Sequence, residues 1–190
     1  MEIPQIDYST FQSRLEDGLR KAWQEVRASR PDEHFYLYGI ETDSDAVVLT
    51  PFCNTIEQVA RECEDDDLDA ESEFDKWIVD QESVLYGAGA EHTNELQDEV
   101  NQFVFLEEPE PEGAAGERRD QLMLVFERAL IALDREGFSG SGEDRDIVVL
   151  KLEIVDADED EWDFMVASMK RMNPPKSLER FLALLEELDD

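Results

Sequence analysis

The sequence predicts an α+β fold, in which a small, mainly antiparallel β-sheet packs against amphipathic helices. Three observations carry that prediction. Two runs rich in aromatic and β-branched residues, HFYLYGIET (34–42) and AVVLTPF (46–52), are separated only by Asp43-Ser44-Asp45 and read as a hairpin over 34–52. A third run, DIVVLKLEIVD (146–156), reads as a late strand. Around them, apolar residues recur at helical spacing, so helices are available to cover the sheet.

Residues 10–28 give the first helix. Phe11, Leu15, Leu19, Ala22, Trp23 and Val26 form one apolar stripe, and Arg14, Glu16, Arg20 and Glu25 lie off it. Ser9 or Thr10 is placed to cap its start, and Pro31 keeps it from continuing. After the hairpin, Asn54 with Glu57 three residues on has the form of a capping box, opening a short helix that carries Ile56, Val59 and Ala60. The run ECEDDDLDAESEFDKW (62–77) comes next, nine carboxylates in sixteen positions, and an acidic loop is expected near 62–75.

A Gly-rich turn at 86–89 leads to a helix over 93–105, with Leu96, Val100, Phe103 and Val104 on one side. A Pro/Glu/Gly loop is expected at 107–117. The next helix spans 117–136, with Leu122, Val125, Phe126, Ala129, Leu130 and Leu133 inward and Gly137 at the left-handed cap. FSGSGED is a loop before the late strand, and DADEDE turns the chain after it. A short helix (Trp162, Met165, Val166, Met169) and a final one (Leu178, Phe181, Leu182, Leu185) are separated by Asn173-Pro174-Pro175. Residues 1–190 are expected to form a single domain.

Charge limits the function. Fifty acidic residues face seventeen basic ones, a net charge of −33. Such a field repels nucleic acid and anionic membranes, which reward cationic side chains. No direct nucleic-acid partner and no membrane are expected, and a basic protein is the better match. Twelve of the basic residues are Arg and five are Lys, a bias that also suits concentrated salt. With no basic leader, no long apolar run and only Cys53 and Cys63, read as reduced, the expected location is cytoplasmic.

The sequence assigns no catalytic residue, cofactor or metal. Calcium loops begun at Asp65 or Asp156 lack the central Gly and the closing Glu. His34 and His92 have no second ligand at zinc spacing. Gly137-Phe138-Ser139-Gly140-Ser141-Gly142 precedes a strand and lacks Gly-Lys-Ser/Thr, so it reads as a loop and not a phosphate cradle.

Four stretches together, LRKAWQEVRASRPDEHFYLYGIETD, PFCNTIEQVAR, ALIALDREGFSG and SMKRMNPPKSLERFL, resemble the bacterial domain-of-unknown-function family 4303. Trp23, Phe35, Tyr36, Thr42, Asn54, Thr55, Gly137, Asn173, Pro174 and Pro175 stand where that family's pattern places them. The resemblance implies a small bacterial protein and supplies no reaction. The leading expectation is a protein-binding module, including an immunity- or antitoxin-like role, with Glu64, Asp65, Asp66, Asp67, Asp69, Glu71 and Glu73 meeting a basic partner. The alternatives are an enzyme with a small polar pocket near the Asn54 and Asn173 loops, and a salt-adapted acidic domain without a dedicated interface.

Overall fold

Helix α1 begins before its apolar stripe, because Asp7 caps it. The Asp7 carboxylate accepts from the backbone N–H groups of Ser9 and Thr10, both at 3.2 Å, so the cap is neither Ser9 nor Thr10. The computed structural model describes residues 6–66, 85, 87–104 and 114–188. Within these the order is α1 (Tyr8–Ser29), β1 (Phe35–Thr42), β2 (Thr50–Thr55), α2 (Ile56–Asp66), a 3-10 turn (Ala90–His92), α3 (Asn94–Val104), α4 (Ala114–Arg135), a second 3-10 turn (Arg145–Ile147), β3 (Val149–Ile154), α5 (Glu159–Met172) and α6 (Pro175–Leu188).

The fold is α+β, but the sheet is mixed and not mainly antiparallel. Its order is β2-β1-β3; β1 and β2 are antiparallel, and β1 and β3 are parallel. The connection allows this: helices intervene between β2 and β3, so the chain can re-enter beside β1 running in the same direction. Burial does not separate the two pairings, since VLKLEI, β1 and β2 are all buried along nearly their whole length, covered on both faces.

Strand β2 also starts four residues later than expected. Asp43 turns the chain, but Ala46 to Leu49 do not pair with β1. The Gln97 side chain on α3 takes their backbone instead, accepting from Leu49 N at 2.5 Å and donating to the Val47 carbonyl. The capping box predicted at Asn54 and Glu57 does not form, and the cap moves one residue on, with the Thr55 N–H donating to Asn54 Oδ1 at 2.9 Å. Asn54 is a buried strand residue, and Thr55 Oγ1 accepts from Gln58 N at 3.1 Å to cap α2. Glu57 turns back to the His34 backbone N–H at 2.7 Å.

One face of the sheet (Tyr38, Ile40, Cys53, Leu150, Leu152) packs on the predicted stripe of α1 and on Leu122, Phe126, Leu130 and Leu133 of α4. The opposite face places Leu37, Phe52 and Val149 against Val59 and Cys63 of α2, Met169 of α5 and Leu178 of α6. Gly39 is required where the layers are tightest. A Cβ there would lie 2.1 Å from the Phe52 ring and 2.3 Å from the Lys151 carbonyl. Gly137 adopts φ +83°, the left-handed cap predicted for it. The Pro/Glu/Gly loop ends sooner than expected, since the chain is helical from Ala114; its residues 107–113 lie outside those described.

Helix α5 lies along the outer edge of β3 and satisfies it with side chains. Asn173 accepts from Leu150 N and donates to Leu150 O, each at 2.7 Å, imitating a neighbouring strand. Ile154 N donates to the Met165 sulfur at 3.0 Å.

Candidate functional site

Of the acidic residues expected to form a contact surface, Glu64, Asp65 and Asp66 fall within the described residues. Glu64 is exposed in the last turn of α2, which Asp65 and Asp66 complete. Asp67, Asp69, Glu71 and Glu73 lie outside the described residues. The first five residues of the acid run are helical, not loop, because Val59 and Cys63, four apart, anchor that helix in the core.

A different set of acids lines a groove. Residues 156–163 hold six carboxylates, and they sit where β3 gives way to α5. Asp158 caps α5 in a full capping box. Its carboxylate accepts from Glu161 N at 2.9 Å, and Glu161 accepts from Asp158 N at 3.0 Å. Negative charge is favourable there, at the positive end of the helix dipole. Across from it, α4 presents Arg119 and Asp120, which pair at 3.0 Å.

Between these elements lies a groove of about 430 Å³. Met123, Leu124, Ile154 and Phe164 give it apolar surface, while Asp120, Asp158, Asp160 and Glu161 supply four carboxylates against the one guanidinium of Arg119. Glu161 is held further by the Ser44 hydroxyl at 3.1 Å. Asp160 is exposed and takes part in none of these bonds. Chemically, apolar surface beside carboxylates is a lining compatible with a cation on an aliphatic stem.

A second groove, about 420 Å³, opens where the end of α1 meets β1 and the 137–148 loop. Arg27 is its main cation. The guanidinium donates from Nε to the Tyr38 hydroxyl at 2.5 Å and from Nη2 to the Phe138 carbonyl at 2.9 Å. Its carbon lies 4.3, 5.1 and 5.9 Å from the ring centres of Phe138, Tyr38 and Phe35. Burial raises the Tyr38 phenol well above its usual range, against the opposing pull of Arg27, so it stays protonated. Glu33, also in this groove, is committed to Thr55 Oγ1 at 2.7 Å and to Arg61 at 3.0 Å.

The other candidate chemistry is weaker. Glu25, Glu91 and His92 bring ligand atoms within 4.8 Å of one another, but both carboxylates are exposed and His92 already pairs with Glu25 at 2.8 Å. Cys53 is buried among apolar side chains, which pushes its thiol up to about 12 and makes it a poor nucleophile. Asn54 and Asn173, near which the sequence suggests a polar pocket, line neither groove. Asn54 donates to the Tyr36 hydroxyl at 3.1 Å, and Asn173 serves β3.

The two grooves differ in how far the sequence announces them. The acids at 156–163 stand out in the chain, yet their spacing suggests only a failed calcium loop or a turn. Arg27 gives no local sign at all, since its rings come from residues 35, 38 and 138.

The resemblance carried by the four stretches is met by a family-model match. The family described as Domain of unknown function (DUF4303) matches residues 15–174 of the 190. No curated protein and no solved structure matches the chain. Of the positions that carry the resemblance, Trp23, Tyr36, Thr42, Asn54, Thr55 and Asn173 are buried. They belong to the scaffold, and with a match of this extent the chain is a member of the DUF4303 family.

Proposed function

We propose that this chain is a protein-binding module whose groove between α4 and α5 receives a basic segment of a partner protein. The observation that carries the reading is the apolar surface of Met123, Leu124, Ile154 and Phe164 in one groove with four carboxylates. A lysine or arginine suits both parts, because its stem packs on apolar atoms while its head remains among charges. The net charge of −33 adds steering toward a cationic partner, most at low ionic strength, and discourages nucleic acid. An immunity-like role, capping a basic toxin, is one case of this reading.

The test is co-expression with the product of the adjacent gene, then calorimetry on the purified pair at low and high sodium chloride. Binding should weaken with salt. The double variant D120N/D160N should weaken it about fivefold or more, roughly 1 kcal/mol for two exposed charges. A complex indifferent to both salt and the double variant refutes the reading.

A further inference from the structure

We infer that the second groove is a binding site for the oxyanion head of a small ligand, a carboxylate or a phosphate, gripped by Arg27. The chain carries fifty acidic residues, yet among the described residues Arg27 has no carboxylate within ion-pairing distance. It is nonetheless fixed in place. Tyr38 and Phe138 take one N–H each from Nε and Nη2, and three rings surround the guanidinium. Nε and Nη2 thereby use one donor each, and three of the five donors, both of Nη1 among them, make no bond to the described residues and can meet an oxyanion.

The surroundings suit a ligand with an apolar body. Phe35, Phe138 and Ile147 line the groove, and Ile147 is 54% exposed. Ser139, also in the lining, is 2% exposed, and its hydroxyl has no hydrogen-bond partner. Asp144 opposes an anion at the rim, but Glu33 is already neutralised by Arg61 and Arg30. The chain's distant negative charge is screened beyond roughly 8 Å at physiological ionic strength, whereas the guanidinium acts in contact.

Side-chain NMR of the full chain, with arginine labelled in nitrogen-15, tests the site. Inorganic phosphate and benzoate are titrated separately. At least one should give a saturable shift at Arg27 Nε and at the amides of Phe138 to Gly140. Phosphate alone identifies a phosphoryl head, and benzoate alone or tighter identifies a carboxylate. R27K, which keeps the charge and loses the guanidinium, should weaken binding about tenfold or more. K170M, an exposed site on α5, should leave it unchanged. No saturable shift with either anion, or an R27K protein that binds as tightly as the native chain, overturns the inference. R27K serves also where the neutral R27M does not fold.

Discussion

Replacing Asn173 with alanine tests the claim that one side chain stands in for a missing strand. The Asn173 amide is 7% exposed and makes four hydrogen bonds. Their loss is unequal. The Met169 carbonyl keeps the backbone N–H of Asn173 at 3.0 Å, and Arg145 Nη2 keeps the Met172 carbonyl at 3.1 Å. Leu150 is left with both its N–H and its C=O facing α5 without a partner. An orphaned buried backbone group costs about 1–3 kcal/mol, so two cost about 2–6, and water entering the vacated space moves the value toward about 3 kcal/mol. That is a large share of the roughly 5–15 kcal/mol expected for a domain. Urea unfolding tracked by circular dichroism should show a lower midpoint at unchanged slope, and Tm should fall by about 6–12 °C. Hydrogen exchange at the Leu150 amide should speed up more than at Leu37 or Ile40. A loss under about 1 kcal/mol would falsify the argument, leaving the bulk of α5 to seal the edge.

Gly39→Ala sets a Cβ against the Phe52 ring and the Lys151 carbonyl, and since backbone is among the obstacles it should cost about 3 kcal/mol or more, read as lost soluble yield or a lowered urea midpoint. The buried Glu127 carboxylate would be raised by burial alone, but Arg171 at 2.7 Å and Ser168 at 2.8 Å hold it below its usual range. Its stabilisation is therefore full above the unfolded carboxylate pKa and lost as pH falls through the lower folded value. E127Q should destabilise by about 1–2 kcal/mol at neutral pH, and the gap to the native chain should close below about pH 4; a gap constant down to acid unfolding refutes the pairing. Native Cys53 should react with a thiol reagent only as fast as the fold opens and at the free-thiol rate in denaturant, so rapid labelling of the folded chain contradicts its burial.

Helix stripes are legible because their information is local. Each predicted inward residue of α1 is buried, as are Leu122 through Leu133 on the predicted face of α4, and the left-handed glycine after α4 comes from one residue type. What escapes the sequence depends on partners distant along the chain. Residues 46–49 have strand character, but Gln97 on α3 claims their backbone. Asn54 has cap chemistry, but Tyr36 claims its amide, so Thr55 caps instead. The parallel pairing of β3 depends on the direction in which the chain returns to β1, which composition does not encode. The acidic groove is half legible, since the acids of 156–163 are obvious while the apolar surface from α4 and Phe164 is not.

The sealed sheet narrows how a partner can dock. An exposed edge recruits an extended peptide through backbone hydrogen bonds. Here the outer edge of β3 is occupied by Asn173 and Met165. At the other edge, Leu85 N and Gly87 N donate to the Cys53 and Pro51 carbonyls at 2.8 and 3.1 Å, and Pro51 itself offers no N–H. Strand addition at the described edges would have to displace these bonds before making its own. Recognition through side chains carries no such cost, and the α4–α5 groove offers it with charge and apolar surface already in place. Under the proposed function, a partner should therefore present cationic side chains from any rigid backbone, helix or loop, and lose affinity when those side chains are neutralised. Its backbone amides should gain no strand-type protection on binding.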